Sequence, residues 1–209
     1  KPTAEAIIAA CKEIIAGKLH EQFPADMIQG GAGTSTNMNA NEVIANRALE
    51  LMGHKKGEYQ FCHPNNHINL AQSTNDAYPT AGKLGICLHT EGLITELENL
   101  IASFRKKGKE FGGHIKMGRT QLQDAVPMTL GQEFESYAAS LEGEVPHIRQ
   151  AVSGLLEINM GATAIGTGIN SDPAYADLVT KRLAEISGYP VKKAANLIAA
   201  TNDTSCFVS

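Results

Sequence analysis

The sequence predicts an all-α fold in which long helices pack side by side, and three observations support this prediction. Two long stretches repeat their mainly apolar positions at alternating steps of three and four, the heptad spacing of helices packed along their length. No convincing alternation of apolar and polar residues, the pattern of a half-buried strand, is present. Aromatic residues make up only 5% of the 209 residues, and a largely aliphatic core suits close helix packing. The repeating positions, called the seams below, are Cys87, Thr90, Ile94, Leu97, Ile101 and Phe104, and then Phe134, Ala138, Leu141, Val145, Ile148, Val152 and Leu155.

Each helix is predicted where an apolar stripe of helical period lies between a start signal and a stop signal. The start signals are a capping Ser, Thr, Asn or Asp, or a proline in the first turn, where its missing N–H does little harm. The usual stop signal is a glycine just after the last turn. Pro127 is interpreted as the start of the second long helix. The predicted helices cover residues 3–16, 37–52, 76–111, 127–159 and 172–188, and one more begins in the last residues.

Composition argues against several classes of function. The formal net charge of −4 leaves no basic face that would favour nucleic acid or an acidic membrane. No apolar run is long enough to span a membrane and no signal peptide is recognisable, so we expect a cytoplasmic protein. The four cysteines are widely spaced, which predicts reduced thiols rather than a zinc site or a disulfide framework. Because the sequence begins without Met and ends in a polar stretch, we expect a piece of a longer protein.

Three clusters rich in Ser, Thr, Asn and Gln each precede a predicted helix. Each cluster alone has an ordinary explanation as a helix cap or a solvated connection. Together, hydroxyl and amide donors beside the N–H groups of helix starts favour a shared pocket for a negatively charged small molecule. A nucleotide site is not indicated, because the first cluster has G-x-G without a third glycine and lacks the G-K-[ST] of a P-loop. The clusters cover residues 31–37, 72–76 and 118–121.

The histidines give no metal site. His63 and His67 are four residues apart, a spacing that suits a metal on a helix. Pro64, Asn65 and Asn66 between them predict a loop instead, and no third ligand is evident. We therefore reject a metal at this position.

Longer stretches around the polar clusters resemble the motifs of the aspartase/fumarase superfamily. The resemblance covers nearly the whole chain, and it is closest to the aspartate ammonia-lyases (aspartases) because of residues 128–134 and 161–165. The matching stretches read G-A-G-T-S-T-N-M-N over 31–39, Q-S-T-N-D-A-Y-P-T over 72–80, G-R-T-Q-L-Q-D-A-V-P over 118–127 and G-A-T-A-I-G-T-G-I-N over 161–170.

The resemblance implies an all-α homotetramer with a long central helical bundle, whose active sites each gather segments from three subunits. Residues 1–75 would end the N-terminal lyase domain and residues 76–209 would begin the central domain. The implied reaction is the reversible anti-elimination of ammonia from L-aspartate, a small dicarboxylate, to give fumarate through an aci-carboxylate intermediate. No cofactor or metal is implied.

Site residues carry over from the same motifs. One position, Gln121, stands where fumarase-like members have His, and a non-titrating amide fits release of neutral ammonia, which needs less acid assistance than release of hydroxide. The other five are implied to contact the carboxylates and the amino group of the substrate. They are Thr34, Ser73, Thr74, Asn75 and Thr120.

The sequence departs from the family pattern in two places. The family's G-S-S-x-M-P-x-K-x-N loop, with its serine base, is absent, so we expect the base to lie beyond Ser209 and this piece alone to lack turnover. His63, Asn65 and Asn66 belong to H-P-N-N, where fumarases have H-P-N-D, and they form a candidate second anion site. Two alternatives stay open: a fumarase or another lyase of the superfamily, and a non-catalytic helical scaffold.

Overall fold

The computed structural model describes residues 2–26, 28, 30 and 33–208. These residues form two compact units. The first unit consists of Lys1–Lys83 and Leu156–Val208, and the second of Leu84–Leu155.

The described residues are mainly helical, which confirms the predicted fold class. Short helical turns lie at His20–Gln22, Pro64–Ile68 and Ser205–Phe207, and four strands form two small sheets. None of the helices in this part of the chain combines the length and the hydropathy needed to cross a membrane. The helices are α1 (Pro2–Ile15), α2 (Thr34–Leu51), α3 (Thr74–Glu110), α4 (Leu130–Gly154), α5 (Tyr175–Ser187) and α6 (Leu197–Asn202), and the strands are β1 (Ile115–Thr120), β2 (Gln123–Thr129), β3 (Glu157–Ile158) and β4 (Lys192–Lys193).

The core of the first unit lies where α1 packs on α2. Small alanines let the two helices approach closely. The guanidinium group of Arg47 on α2 forms a bidentate ion pair with Glu13 on α1. Its Nε lies 2.6 Å from one carboxylate oxygen, and a terminal nitrogen lies 3.0 Å from the other. The buried apolar residues of this cluster are Ala6, Ala10, Ala45, Ala48, Leu49, Cys62 and Ile68.

Helix α2 begins at Thr34, three residues earlier than predicted. Gly33 precedes the helix with a φ of 83°, a left-handed conformation that glycine adopts without strain. The turn therefore ends at Gly33, and the hydroxyl residues that were predicted to lie before the helix form its first turn. Helix α3 likewise begins at Thr74 rather than at Asp76.

In the second unit, the seam of α3 is buried as predicted. Cys87, Ile94 and Ile101 are each less than a tenth exposed. Opposite them, Ala138 on α4 is fully buried, and Phe104 and Phe134 pack with ring centroids 5.9 Å apart. The paired seams therefore hold the two long helices together, as their spacing indicates.

The prediction that Pro127 opens a helix is wrong, and so is the prediction that strands are absent. Pro127 lies in β2 and pairs with Met117 in an antiparallel hairpin. Helix α4 starts only at Leu130, where the Thr129 side chain accepts a hydrogen bond from the Gln132 N–H in a reciprocal capping box. The hairpin is largely exposed on both faces, so it shows no alternation of apolar and polar residues.

The second long helix also ends earlier than predicted, at Gly154 rather than near residue 159. Glu157 and Ile158 form β3 instead, and they pair in parallel with β4. Helix α5 ends before Gly188, which has a φ of 74°, and this stop confirms the predicted glycine signal.

Candidate active site

The site is built where the N-termini of α2 and α3 meet within the first unit. A Cβ atom added to Gly33 would lie 2.3 Å from the ring of Tyr78, so only glycine allows this approach. One turn into α2, Asn37 Nδ2 donates to Thr74 Oγ1 at 3.1 Å. Two helix starts with outward N–H groups therefore lie side by side, an arrangement that favours a bound anion.

At the start of α3, Ser73 forms a reciprocal cap. Its hydroxyl accepts from the Asn75 N–H at 3.1 Å, while its own N–H donates to Asp76 Oδ1 at 2.9 Å. A hydroxyl that accepts one hydrogen bond still carries a proton that it can donate. The same holds for Thr74, whose oxygen accepts from Asn37. Both hydroxyls are thus oriented by the protein and remain able to donate to a ligand.

An amide network that sequence reasoning missed supports these two hydroxyls. Asn69 Oδ1 accepts from Asn37 Nδ2 at 3.3 Å and from Asn41 Nδ2 at 3.1 Å. Asn69 Nδ2 in turn donates to the carbonyl of Gln72, next to Ser73. The position of Asn37 in the 31–39 motif could have indicated its part in this network. Nothing in the sequence around Asn69 distinguishes it from an ordinary loop residue.

Asn75 is held by the glycine-rich segment that follows β3. Its side-chain nitrogen donates to the Ala164 carbonyl at 2.7 Å. Its backbone carbonyl accepts from Asn159 Nδ2 at 3.0 Å. The 161–168 segment is a turn as predicted, and it fixes the direction in which Asn75 points.

Asp76 is fully buried beneath these residues. Burial raises the pKa of its carboxyl above the ordinary value of 3.8, although hydrogen bonds from backbone N–H groups, including those of Ser73 and Thr163, act in the opposite direction. Burial, assisted by the negative charge of Asp76, also raises the pKa of Tyr175 to about 12. Sequence reasoning placed Asp76 only at the start of a helix and missed this buried position.

Thr34 is the first residue of α2 and is exposed. No side chain caps this helix start, because the capping position is Gly33. Glycine has no side chain that could accept a hydrogen bond from the first turn of α2. Gly31 and Ala32 of the same motif lie outside the described residues.

The structure thus places Thr34, Ser73, Thr74 and Asn75 on one pair of helix starts, whereas Thr120 and Gln121 belong to the second unit. Thr120 ends β1, and Gln121 follows it in the hairpin turn with a φ of 49°. The prediction that this cluster immediately precedes a helix is wrong, because α4 begins at Leu130, after the whole of β2.

The candidate second anion site is a compact helical turn. The imidazole nitrogen Nδ1 of His63 accepts from the N–H groups of Asn65 and Asn66, at 3.1 and 3.4 Å. His67 Nδ1 accepts from the His63 N–H at 2.9 Å. These contacts give His63 a capping role, and its role as an anion ligand stays a prediction. No group of three or more His, Cys, Asp or Glu side chains in the described ranges is arranged to hold a metal ion.

Comparison with known proteins relates the whole chain to lyases. A family model described as "Lyase" matches residues 1–209. The aspartate ammonia-lyase of Pseudomonas aeruginosa is 62% identical over 204 residues, which are 97% of this chain and 43% of the relative. This chain therefore spans less than half the length of that relative.

Solved structures agree with the fold. A crystal structure of a fumarate lyase:delta crystallin from Brucella melitensis bound to cobalt matches with a TM-score of 0.95 and 53% identity, covering 100% of this chain and 45% of that one. The class II fumarase of Schistosoma mansoni matches with a TM-score of 0.83 and 36% identity, covering 96% of this chain and 45% of that one. The motifs, the paired helix starts and the family match over residues 1–209 agree, and the chain belongs to the lyase family, in the aspartase/fumarase superfamily.

Proposed function

We propose that the full-length protein is an aspartate ammonia-lyase, which converts L-aspartate reversibly into fumarate and ammonia. The observation that carries this proposal is the pairing of two helix starts that present the hydroxyls of Thr34, Ser73 and Thr74. The relative named aspartate ammonia-lyase is 62% identical, whereas the class II fumarase is 36% identical, which favours ammonia over water as the leaving group. Because the chain spans 43% of that relative, the activity is proposed for the whole protein.

In the proposed reaction, a base removes a proton from the carbon next to the β-carboxylate. The electron pair of the broken C–H bond moves into that carboxylate and gives an aci-carboxylate dianion. The C–N bond then breaks, the double bond of fumarate forms, and the amino group leaves as ammonia. We place the serine base in a part of the longer protein outside these 209 residues, so the chain alone is expected to lack turnover.

The proposed role of the site is to stabilise the extra negative charge of the dianion. Donors that are oriented before the reaction stabilise developing charge without reorganising at the moment of reaction. The caps and amide contacts around Ser73, Thr74 and Asn75 supply that fixed orientation. A pocket built in this way binds the intermediate more tightly than the substrate, which is what accelerates the chemical step.

We propose that Thr120 and Gln121 reach the substrate from another copy of the chain in a homotetramer. Exposed apolar side chains along α3, such as Leu88 at 61% and Leu93 at 58%, support self-association. We expect Gln121 to contact the substrate amino group without titrating. The division into two lyase domains at residue 75, the second anion site at His63, Asn65 and Asn66, and a cytoplasmic location all remain proposals.

The test is an assay of the full-length protein for fumarate production from L-aspartate and from L-malate. We expect fumarate and ammonia from L-aspartate and little or no turnover of L-malate. Activity on L-malate alone would reject the aspartase proposal in favour of a fumarase. If neither substrate reacts, the remaining alternatives are another lyase of the superfamily and a non-catalytic helical scaffold.

A further inference from the structure

One buried group near the proposed site has no part in the reaction described above. Asp76 is fully buried and lies just after the three residues proposed to bind the substrate. Its oxygen Oδ1 accepts from the Ser73 N–H, which completes the helix cap. Its second oxygen, Oδ2, accepts from the Thr163 N–H at 2.8 Å. Capping the helix needs only the first of these bonds, so the second requires its own explanation.

The segment that Asp76 contacts has a strained backbone. Thr163 has a φ of 59°, in the left-handed region that β-branched residues rarely adopt. The Thr163 hydroxyl is buried and has no hydrogen-bond partner among the residues that the structure describes. The left-handed conformation of Thr163 is therefore not explained by a hydrogen bond of its hydroxyl. It is explained by the hydrogen bond that the Thr163 N–H donates to Asp76.

The strained residue leads directly back to the site. The Ala164 carbonyl, one residue later, accepts the side-chain N–H of Asn75 at 2.7 Å. Asp76, Thr163, Ala164 and Asn75 thus form a closed ring of contacts. Through this ring, the Asp76 carboxylate sets where the Asn75 amide lies, and through the cap it sets where Ser73 lies.

We propose that Asp76 is a positioning residue that orients Ser73 and Asn75 by holding the 161–166 segment against the start of α3. The proposal rests on the proposed function, because it assumes that Ser73 and Asn75 bind the substrate. Asp76 itself does not touch the substrate in this account. Its buried carboxylate has two oxygens, and each accepts a hydrogen bond from a different segment. The side-chain amide of an asparagine has the same size, but only its oxygen can accept, because its nitrogen is a donor.

The test measures kcat/KM for L-aspartate in the full-length protein carrying Asp76→Asn. We expect a loss of about tenfold to a hundredfold, because small misplacements of binding groups have effects of this size. In a Ser73→Ala background, the same substitution is expected to cause a much smaller loss, since the two changes act on one set of contacts. Unchanged kcat/KM in Asp76→Asn, or losses that multiply in the double variant, would overturn the proposal.

A control and a rescue separate positioning from folding. Lys83 on α3 is also a buried polar residue, and its Nζ donates to the Glu157 carbonyl at 2.6 Å. Lys83→Met is expected to lower stability while keeping kcat/KM, and an equal loss of kcat/KM would contradict a specific role for Asp76. Glycine adopts a positive φ freely, so Thr163→Gly should restore part of the rate, or of the folding, lost in Asp76→Asn. A double variant no better than Asp76→Asn would also overturn the proposal.

Failure of the aspartase proposal is distinguishable from failure of this one. If the wild-type protein acts on L-malate alone, the same comparison is made with L-malate, because the role of Asp76 does not depend on the leaving group. If the wild type has no turnover, the affinity for fumarate, the shared product, replaces kcat/KM. Asp76→Asn is then expected to weaken fumarate binding by about tenfold, and equal affinity would overturn the proposal.

Discussion

At the scale of single residues, Ser73 combines two roles in one hydroxyl group. Its oxygen accepts from the Asn75 N–H and stabilises the start of α3. Its proton remains available to a ligand. A capping residue and a binding residue therefore have the same sequence signature, so the polar cluster at residues 72–76 is ambiguous in the sequence alone. The neighbouring start of α2 is what distinguishes the two roles.

The predicted residues of the first unit come together because glycine and asparagine are used in specific places. Gly33 admits the ring of Tyr78, and Asn37 reaches Thr74. The motifs indicated Thr34, Ser73, Thr74 and Asn75 correctly as neighbours of helix starts. They could not indicate Asn69 or the burial of Asp76, because those roles depend on contacts between segments far apart in the chain.

Arg47 gives a prediction of pH dependence at this scale. Its hydrogen bonds hold the pKa values of the Glu13 and Glu50 carboxyls below their ordinary value of 4.5. A carboxyl whose pKa is lower in the folded state stabilises the fold above its ordinary pKa, and this contribution is lost as the pH falls through the lowered value. Arg47→Gln should therefore reduce the free energy of unfolding most above pH 4.5, and the difference from wild type should shrink at lower pH.

Urea unfolding of both proteins across this pH range measures the difference. Arg182→Gln is a suitable control, because the Arg182 ion pair with Glu185 is exposed and should contribute less than about 1 kcal/mol. A difference for Arg47→Gln that stays constant or grows as the pH falls would contradict the assignment.

At the scale of elements, heptad spacing located the long helices but not the hairpin between them. The seams predicted buried residues on α3 and α4, and Ile94 and Ala138 are buried. The hairpin escaped prediction for two physical reasons. Its strands are exposed on both faces, and its turn places Gln121 and Leu122 at positive φ without the Asn-Gly or Asp-Gly pair that marks such turns.

The true start of α4 gives a prediction about stability. Thr129 caps the helix, and the Gln132 side-chain oxygen Oε1 in turn accepts from the Thr129 N–H at 2.9 Å. Thr129→Ala should reduce the free energy of unfolding by about 1 kcal/mol, the usual effect of losing such a cap. Thr129→Ser keeps the hydroxyl and should lose much less, as measured by urea unfolding. Equal losses in the two variants would show that the methyl group, and not the cap, is what matters.

At the scale of the whole molecule, we propose that the site is completed by more than one copy of the chain. The resemblance to the superfamily implies active sites that gather segments from three subunits, and we propose that Ser73 and Thr120 of one site come from different subunits. A shared site of this kind predicts complementation between inactive variants. The Thr120 cluster lies on a hairpin, so its motif is the signal that indicates it, and the helix start predicted after it was wrong.

Mixed assembly of the full-length Ser73→Ala and Thr120→Ala variants tests this sharing. Random mixing of subunits leaves about a quarter of the sites free of both substitutions if the two residues come from different subunits. The mixture, unfolded and reassembled together, should therefore recover a substantial part of the wild-type rate. No recovery above the separate variants, with assembly verified by light scattering, would place both residues in one subunit.

The central claim is that oriented hydroxyls at the paired helix starts stabilise the dianion, and Ser73→Ala tests it most directly. The matched control is Ser187→Ala, because the Ser187 hydroxyl also accepts from an N–H two residues later, that of Tyr189 at 3.2 Å, but at the far end of α5. In the full-length protein with its assembly intact, we predict that Ser73→Ala lowers kcat for L-aspartate by about 10²–10³-fold and that Ser187→Ala leaves it close to wild type. A kcat for Ser73→Ala equal to that of Ser187→Ala would contradict the claim.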